Sequence, residues 1–214
     1  VQITGSHNPP KFNGFKISYN KKPFFGKNIL KLKNIIEKKS FKSYNKTGKL
    51  FKLEILEDYV KFIKNNINID KNINCIIDCG NATAGIIAPK LFTELNINTK
   101  MMYCDLDPTF PNHHPDPTVD KNLNDIVKEI KTNNSIDVGF AFDGDGDRVI
   151  AIDNLGSIIR SDILMGVFAK DILKENDTMI YDVKCSRSLE YMIKYYNGNP
   201  VMWKTGHSLI KSKM

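Results

Sequence analysis

The sequence lacks the features that identify several common classes of protein. No apolar run approaches the ~20 residues that a membrane-spanning helix needs, and no secretory signal peptide opens the chain. No zinc-finger spacing and no aromatic-basic RNA-binding motif is present. We therefore expect a protein with no membrane segment and no nucleic-acid partner.

Signs of a disulfide framework are also missing. The chain has four cysteines, and no two of them form a Cys-x-x-Cys pair. Three of the four lie in or beside apolar, strand-like runs of sequence. We expect buried thiols and a reducing, cytoplasmic location. The cysteines concerned are Cys75, Cys79, Cys104 and Cys185.

The composition is that of a globular protein, with 214 residues, 41% of them apolar and 26% charged. This length is enough to bury a core in one large domain or two ordinary ones. The net charge of +7 comes from dispersed lysines, which indicates a solvated surface and would suit an anionic small substrate. Both ends fall inside apolar or helical stretches, so we expect a piece of a longer protein.

Short apolar strands alternate with amphipathic helices along most of the chain. The pattern predicts the α/β class, with consecutive three-layer α/β/α units and mixed, mainly parallel sheets. A polar stretch at 43–49 and a turn at 154–156 mark the boundaries between segments. The predicted segments are 1–50, 51–154 and 155–214.

One motif concentrates negative charge between two apolar strands. It is Asp143-Gly144-Asp145-Gly146-Asp147-Arg148, in which three carboxylates stand at alternate positions. Like charges this close repel, so a bound cation is the simplest compensation. Oxygen ligands favour Mg²⁺ or Ca²⁺. The calcium EF-hand is excluded, because Arg148 and Asn154 stand where that loop needs Gly and Glu.

A second motif, Thr4-Gly5-Ser6-His7-Asn8-Pro9-Pro10, follows the first predicted strand. A serine after a glycine on a tight loop can present its hydroxyl to a cleft, and the prolines stiffen the exit from the loop. An ordinary polar turn explains this motif equally well when it is taken alone. No Gly-x-Ser-x-Gly nucleophile elbow is present.

Together, the two motifs resemble those of the α-D-phosphohexomutase family, which read T-x-S-H-N-P and D-G-D-G-D-R. The resemblance covers essentially the whole chain. Segments 110–117 (FPNHHPDP) and 203–208 (WKTGHS) resemble the bacterial phosphomannomutase/phosphoglucomutase branch of that family.

The resemblance implies an enzyme that interconverts the 1- and 6-phosphates of mannose or glucose. A phosphoryl group would pass through Ser6, with hexose 1,6-bisphosphate as intermediate and activator. Mg²⁺ would be held by Ser6 together with Asp143, Asp145 and Asp147. The substrate would be a phosphosugar, and we expect a monomer.

The resemblance also implies roles for residues around these two motifs. Phosphoserine carries ~−1.5 to −2 charges, so with three aspartates and one divalent cation the site needs further positive charge. Arg148 and Lys16 match the positions that would supply this charge. The full set of predicted residues is Ser6, His7, Lys16 and Arg148 for catalysis, and Asn8, Lys184 and His207 for substrate binding.

Two alternatives to a mutase stay open. One is a phosphoserine-dependent phosphatase, and the other is a non-catalytic fragment that binds a metal or a phosphosugar. Family members have four domains, and this chain matches neither the start of the first, nor the end of the third, nor the fourth. We therefore expect the chain alone to be a poor mutase, and the sequence leaves the preferred hexose and the general acid or base open.

Overall fold

The structure is a computed structural model that describes residues 1–69 and 72–214. Its strands are β1 (Gln2–Ile3), β2 (Phe15–Lys16), β3 (Ser18–Tyr19), β4 (Lys22–Pro23), β5 (Asn74–Asp78), β6 (Asn98–Met102), β7 (Val138–Phe142), β8 (Val149–Asp153), β9 (Ile158–Ile159), β10 (Thr178–Asp182) and β11 (Asn199–Trp203). Its α-helices are α1 (Lys27–Glu37), α2 (Leu56–Asn66), α3 (Ala84–Glu94), α4 (Asn124–Thr132), α5 (Ser161–Ile172), α6 (Arg187–Tyr195) and α7 (His207–Lys213).

The chain forms two compact units. The first, here called the sheet unit, contains Thr4–Gly14 and Ile55–Ile172. The second, the terminal unit, contains Val1–Ile3, Phe15–Glu54 and Leu173–Met214. These units group residues by contact, and the segments predicted from sequence, 1–50, 51–154 and 155–214, stay a prediction about domains.

The sheet unit is built on a five-stranded mixed sheet with the order β6-β5-β7-β8-β9. Strand β5 pairs in parallel with both β6 and β7, while β7, β8 and β9 pair antiparallel. Helix α3 connects β5 to β6, and α4 precedes β7. Because β5 and β7 are parallel, Asp78 at the end of β5 and Asp143 just after β7 lie at the same edge of the sheet.

Helices cover both faces of this sheet, which explains the apolar run in β5. Ile76 packs in a cluster with Ile126 and Ile130 of α4, and its neighbour Ile77 packs in a second cluster with Ala88 of α3. Successive strand residues point to opposite faces, so the two clusters lie on opposite sides of the sheet. The predicted α/β class is therefore confirmed, with a helix–sheet–helix arrangement in this unit.

The terminal unit contains a second α/β element. Strands β10 and β11 pair in parallel from Thr178↔Asn199 to Asp182↔Trp203, and helix α6 lies between them in sequence. Leu189 and Ile193 of α6 are fully buried. Parallel pairing places the carboxyl ends of both strands at one edge, which is where Lys184 and the start of α7 follow.

Two further expectations concern membranes and cysteines. Within residues 1–69 and 72–214, no helix is both long and apolar enough to cross a bilayer. Cys75 and Cys79 are buried, and Cys79 and Cys104 face each other with their sulfurs 3.6 Å apart, without a disulfide. Burial is the main cause that raises the pKa of the Cys79 and Cys104 thiols, so both stay protonated at neutral pH.

Candidate active site

The metal loop, residues 143–148, is a tight connection between the antiparallel strands β7 and β8. The Asp143 amide donates to the Arg148 carbonyl at 3.2 Å, and the Gly146 amide donates to the Asp143 carbonyl at 3.0 Å. Gly146 has a φ of +70°, a left-handed conformation that glycine adopts without steric cost. The loop is thus closed by its own backbone between two paired strands.

This closure brings the three carboxylates of the loop together. One oxygen from each of Asp143, Asp145 and Asp147 lies within 4.8 Å of the others. Asp143 is fully buried, Asp145 is half-buried and Asp147 is exposed, so the group opens toward solvent on one side. Three carboxylates and no sulfur or imidazole form a donor set that fits a hard divalent cation such as Mg²⁺.

The serine loop, Thr4–Gly14, belongs to the same unit as the metal loop. Its base is closed by a hydrogen bond from the Thr4 amide to the Gly14 carbonyl, at 3.0 Å. Ser6 itself has a φ of +49°, which is uncommon for a residue with a side chain. The Ser6 amide donates to the Thr4 hydroxyl at 2.9 Å, which helps to hold this conformation.

The two loops touch through their backbones. A side-chain carbon added at Gly144 would lie 2.0 Å from the Ser6 carbonyl oxygen, far inside any real contact. Glycine at 144 is therefore needed for the serine loop to approach the metal loop this closely. A side-chain bond reinforces the contact, because the Thr4 hydroxyl donates to Asp145 Oδ2 at 2.8 Å.

Three polar groups surround the Ser6 hydroxyl. Its oxygen lies 3.3 Å from Asp143 Oδ2, 3.0 Å from His7 Nδ1 and 3.2 Å from Arg148 Nη2. Arg148 also donates from Nε to Asp143 Oδ2 at 3.0 Å and from its backbone amide to Asp143 Oδ1 at 3.1 Å. The hydroxyl thus sits between a buried carboxylate, an imidazole and a guanidinium.

The contact of Arg148 with His7 fixes which ring nitrogen of His7 can take up a proton. Arg148 Nη2 is hydrogen-bonded to His7 Nδ1, and a guanidinium can only donate. Nδ1 therefore acts as an acceptor, and the ring proton of a neutral His7 sits on Nε2. Nδ1 has one lone pair, so it can take the proton of the Ser6 hydroxyl, 3.0 Å away, only when Arg148 Nη2 donates instead to the Ser6 oxygen, which lies 3.2 Å from it.

Two adjacent histidines, His113 and His114, lie beside the serine loop. His114 Nε2 is 2.5 Å from the backbone carbonyl oxygen of His7. The adjacent His113 contacts Asp78 Oδ2 through Nε2 at 2.9 Å and the His114 carbonyl through Nδ1 at 3.1 Å. Burial opposes a charge on His113, but the hydrogen bond and the negative charge of Asp78 outweigh it and raise the pKa of this imidazole.

Asp116 adds a carboxylate near the same cluster. Burial alone would raise the pKa of its carboxyl group, but two hydrogen bonds from Thr118 and the positive charge of Arg148 hold that pKa below its ordinary value. The Thr118 hydroxyl donates to Asp116 Oδ1 at 2.6 Å. Asp116 therefore stays ionised and balances part of the positive charge beside the serine loop.

The structure brings together most of the residues predicted from the two motifs. Ser6, His7, Arg148 and the three aspartates form one cluster, while Asn8 is exposed on the same loop and its amide donates to the Gly5 carbonyl. The remaining predicted residues are in the terminal unit, where all three are exposed: Lys16, Lys184 and His207.

Within the terminal unit, Lys184 and the segment that leads to His207 are tied to one carboxylate. Asp182 Oδ1 accepts from the Lys184 amide at 2.8 Å and from the Thr205 hydroxyl at 2.7 Å. Lys16 lies in β2, paired with Gln2 of β1. The roles of Lys16, Lys184 and His207 stay predictions.

Several residues of the cluster were missed from the sequence: Thr4, Asp78, His113, His114 and Asp116. A signal for two of them was present, because the chain has only four histidines and two are adjacent in a proline-rich segment. Three of the four histidines, His7, His113 and His114, meet in this cluster. Asp78 also stood at the end of a buried strand, where sites of α/β proteins gather.

Comparison with known proteins gives the same result along the whole chain. Residues 57–156 match the family model of phosphoglucomutase/phosphomannomutase α/β/α domain II, and residues 160–214 match that of domain III. The phosphomannomutase/phosphoglucomutase of Pseudomonas aeruginosa is 46% identical over 100% of this chain. The phosphoglucomutase of Neisseria meningitidis serogroup B is 43% identical over 99% of it.

A solved structure agrees with these relatives. The crystal structure of a phosphoglucomutase/phosphomannomutase family protein from Burkholderia thailandensis matches 99% of this chain with a TM-score of 0.93 and 38% identity. The match covers 46% of that chain, as it does for both curated relatives. The chain therefore spans about half the length of the relatives it matches.

Proposed function

Because the chain belongs to the phosphoglucomutase/phosphomannomutase family, we propose that it carries the phosphoserine centre of a phosphohexose mutase. The enzyme interconverts hexose 1-phosphate and hexose 6-phosphate, with mannose or glucose as the hexose. One observation carries the proposal: the Ser6 hydroxyl lies within 3.3 Å of a carboxylate, an imidazole nitrogen and a guanidinium at once. These groups can bind a phosphoryl group on Ser6 and move its proton.

The reaction has two transfers through Ser6. In the first, the bond between phosphorus and Ser6 Oγ breaks, a new bond forms to the free hydroxyl oxygen of the sugar phosphate, a base takes the proton of that hydroxyl, and Ser6 Oγ gains a proton to become a free hydroxyl. In the second, the reoriented bisphosphate returns its other phosphoryl group to Ser6, whose hydroxyl proton passes to a base. His7 Nδ1, 3.0 Å from the oxygen, is placed for this proton, and Lys16 is the other candidate.

Charge stabilisation is the main contribution we expect from the site. Arg148 reaches the Ser6 oxygen and offsets the negative charge of a phosphoryl group there. Asp143, Asp145 and Asp147, joined by phosphorylated Ser6, would hold Mg²⁺, which when bound supplies positive charge at the phosphoryl oxygens. Hexose 1,6-bisphosphate would be both the intermediate and the activator that phosphorylates Ser6.

Contacts to the sugar phosphate are assigned to Asn8, Lys184 and His207. The support for the last two is their place after β10 and β11, at the edge where parallel strands present their carboxyl ends. The partner is a phosphosugar and the protein acts as a monomer in the cytoplasm, without nucleic acid or membrane. Since relatives are about twice as long, we expect slow mutase turnover from this chain by itself.

Phosphorylation of Ser6 tests this proposal directly. The chain is incubated with Mg²⁺ and glucose 1,6-bisphosphate, and its intact mass and phosphopeptides are measured. We expect one phosphoryl group, located on Ser6, and none in Ser6→Ala, while Ser135→Ala removes an exposed serine elsewhere in the sheet unit and should keep the modification. A phosphate located on another residue would contradict the assignment.

The same experiment separates the two alternatives. A phosphoserine-dependent phosphatase would release inorganic phosphate continuously, in amounts well above one equivalent of protein. A non-catalytic metal- or phosphosugar-binding fragment would bind Mg²⁺ by calorimetry and stay unphosphorylated. The intact set of Ser6, Arg148 and three aspartates favours the mutase over this second alternative.

A further inference from the structure

The histidine segment, residues 110–117, takes no part in the two transfers described above. Its His114 nevertheless reaches the serine loop, since Nε2 lies 2.5 Å from the carbonyl oxygen of His7. We propose that His114 is a positioning residue that holds the peptide after Ser6 and so orients the nucleophilic hydroxyl. This inference rests on the proposed function for its catalytic consequence, but not for the contact itself.

The chemistry of the contact fixes the role of the His114 ring. A carbonyl oxygen can only accept, so Nε2 must carry a proton and donate it. The same ring packs edge-on against Phe110, with ring centres 5.9 Å apart. Phe110 therefore limits the ring orientations of His114, and Nε2 stays directed at the serine loop.

The backbone of His114 is itself fixed from two sides. Its carbonyl oxygen accepts from His113 Nδ1 at 3.1 Å and from the Asp116 amide at 2.8 Å. His113 is in turn bonded to Asp78 Oδ2 at 2.9 Å, and Asp78 is 1% exposed at the end of the interior strand β5. A chain of hydrogen bonds thus runs from the core of the sheet to the peptide next to Ser6.

The serine loop needs this support because part of it is exposed to solvent. Asn8, Pro9 and Pro10 are exposed, and Ser6 has a left-handed backbone conformation. The loop backbone is held by the Thr4 hydroxyl at the Ser6 amide and by His114 at the His7 carbonyl. Losing the second of these contacts would let the peptide rotate and move the Ser6 oxygen away from Asp143 and Arg148.

Two substitutions of His114 separate the hydrogen bond from the packing. His114→Phe keeps a ring against Phe110 and removes the donor. His114→Gln removes the ring but carries an amide nitrogen at the same number of bonds from Cα as Nε2. The rate of Ser6 phosphorylation by glucose 1,6-bisphosphate with Mg²⁺ is measured for both, together with Mg²⁺ affinity by calorimetry.

We expect His114→Phe to slow phosphorylation about five- to a hundredfold, because an acceptor is left without its donor. His114→Gln should recover most of that loss. Mg²⁺ affinity should stay within about twofold of wild type in both variants, because His114 bonds the serine loop and not the aspartates. An unchanged rate in His114→Phe, or a rate that follows ring packing instead of the donor, overturns the inference.

A measurement that does not depend on phosphoryl transfer tests this inference separately from the proposed function. If wild-type protein takes up no phosphoryl group, the proposed function fails, and amide hydrogen exchange across residues 4–14 decides the role of His114. Faster exchange in His114→Phe with protection restored in His114→Gln supports positioning. Equal exchange in wild type and both variants overturns it.

Discussion

The metal loop and the serine loop meet at Gly144 and Ser6, but they are held in different ways. The metal loop connects two neighbouring antiparallel strands and is closed by its own backbone hydrogen bonds. The base of the serine loop is also closed by its own backbone, but its position depends in addition on contacts with residues remote in sequence. Thr4 bonds Asp145, 141 residues away, and the His7 carbonyl is met by His114, 107 residues away.

This difference separates two requirements of the proposed chemistry. Gathering carboxylates for a cation needs only a short loop between fixed strands, so it is a local property of six residues. Aiming a hydroxyl at a phosphoryl group needs the loop to be fixed relative to other elements, because about 1 Å of displacement can cost roughly a hundredfold in rate. Substitutions in the two loops should therefore have separable effects on Mg²⁺ binding and on Ser6 phosphorylation.

The largest effect is expected from Gly144→Ala, which acts where the loops touch. The added carbon would lie 2.0 Å from the Ser6 carbonyl oxygen, so one backbone must move. We expect Ser6 phosphorylation to fall at least roughly a hundredfold, with a loss of ~1–3 kcal/mol in the free energy of unfolding. Intact-mass kinetics and urea denaturation measure these two quantities.

Gly146→Ala is the matched control for this substitution. Gly146 has a φ of +70° but open space around it, since the nearest atom to an added carbon is Ala84 Cβ at 3.8 Å. Alanine there costs about 1–2 kcal/mol through its left-handed conformation and adds no clash with the serine loop. If both variants phosphorylate Ser6 equally fast, close approach at Gly144 is not what places the serine.

Asp145→Asn should produce the next largest effect, and this effect is on Mg²⁺ binding by the metal loop. It removes one carboxylate from the group of three, while the amide oxygen can still accept from the Thr4 hydroxyl. We expect Mg²⁺ affinity to fall at least roughly tenfold, since even outer residues of metal sites can contribute that much. Calorimetry with Mg²⁺ measures this, and unchanged affinity in Asp145→Asn would remove the metal assignment.

Thr4→Val tests the opposite case, in which a substitution slows phosphorylation more than it weakens Mg²⁺ binding. Its expected effect is smaller than those of Gly144→Ala and Asp145→Asn. The substitution keeps the shape of the side chain but removes the acceptor for the Ser6 amide and the donor to Asp145 Oδ2. We expect phosphorylation to slow about three- to tenfold, with a smaller change in Mg²⁺ affinity than in Asp145→Asn. Thr4→Ser keeps the hydroxyl and should behave as wild type; equal slowing in both would assign the effect to packing.

How much the sequence revealed follows the same division between local and remote contacts. The strands on either side of the metal loop, the loop itself and the grouping of its three aspartates were predicted, because charge, glycine and strand pattern all lie within a few residues. The apolar strand expected before the motif is β7, Val138–Phe142. His113, His114 and Asp78 were missed, because nothing local in a proline-rich segment or at a strand end says which distant group each side chain will contact.

Packing details were hidden from the sequence for the same reason. The need for glycine at 144 arises from the Ser6 carbonyl, a remote contact that the motif itself does not reveal. The grouping of Thr4–Gly14 with Ile55–Ile172 was also not visible, since in sequence the serine loop lies inside the predicted first segment. Contacts between residues more than a hundred positions apart leave no periodic pattern to recognise.

The smallest expected effect is a pH dependence of the free energy of unfolding that arises from His113, which supports the serine loop through His114. His113 donates hydrogen bonds to Asp78 and to the His114 carbonyl. Its ring also contacts Tyr103 edge-on, and it feels the negative charge of Asp125. Burial works against its charge, yet Asp78 raises its pKa above the ordinary value of about 6.5. The folded protein therefore binds a proton at His113 more tightly than the unfolded chain does.

The sign of the effect follows from this difference in proton binding. The contribution of His113 to stability is fully present below the unfolded pKa of about 6.5 and is lost as pH rises through the higher folded pKa. His113→Gln keeps a donor toward Asp78 but has no titrating group, so the free energy of unfolding should lose this decline above pH 6.5. Urea denaturation of both proteins at several pH values measures the difference, which isolates the contribution of His113. If the free energy of unfolding has the same pH dependence in both proteins, the positive charge of His113 does not link Asp78, in the core, to the serine loop. The support of the serine loop would then have no pH-dependent part that distinguishes it from the metal loop, whose six residues contain no histidine.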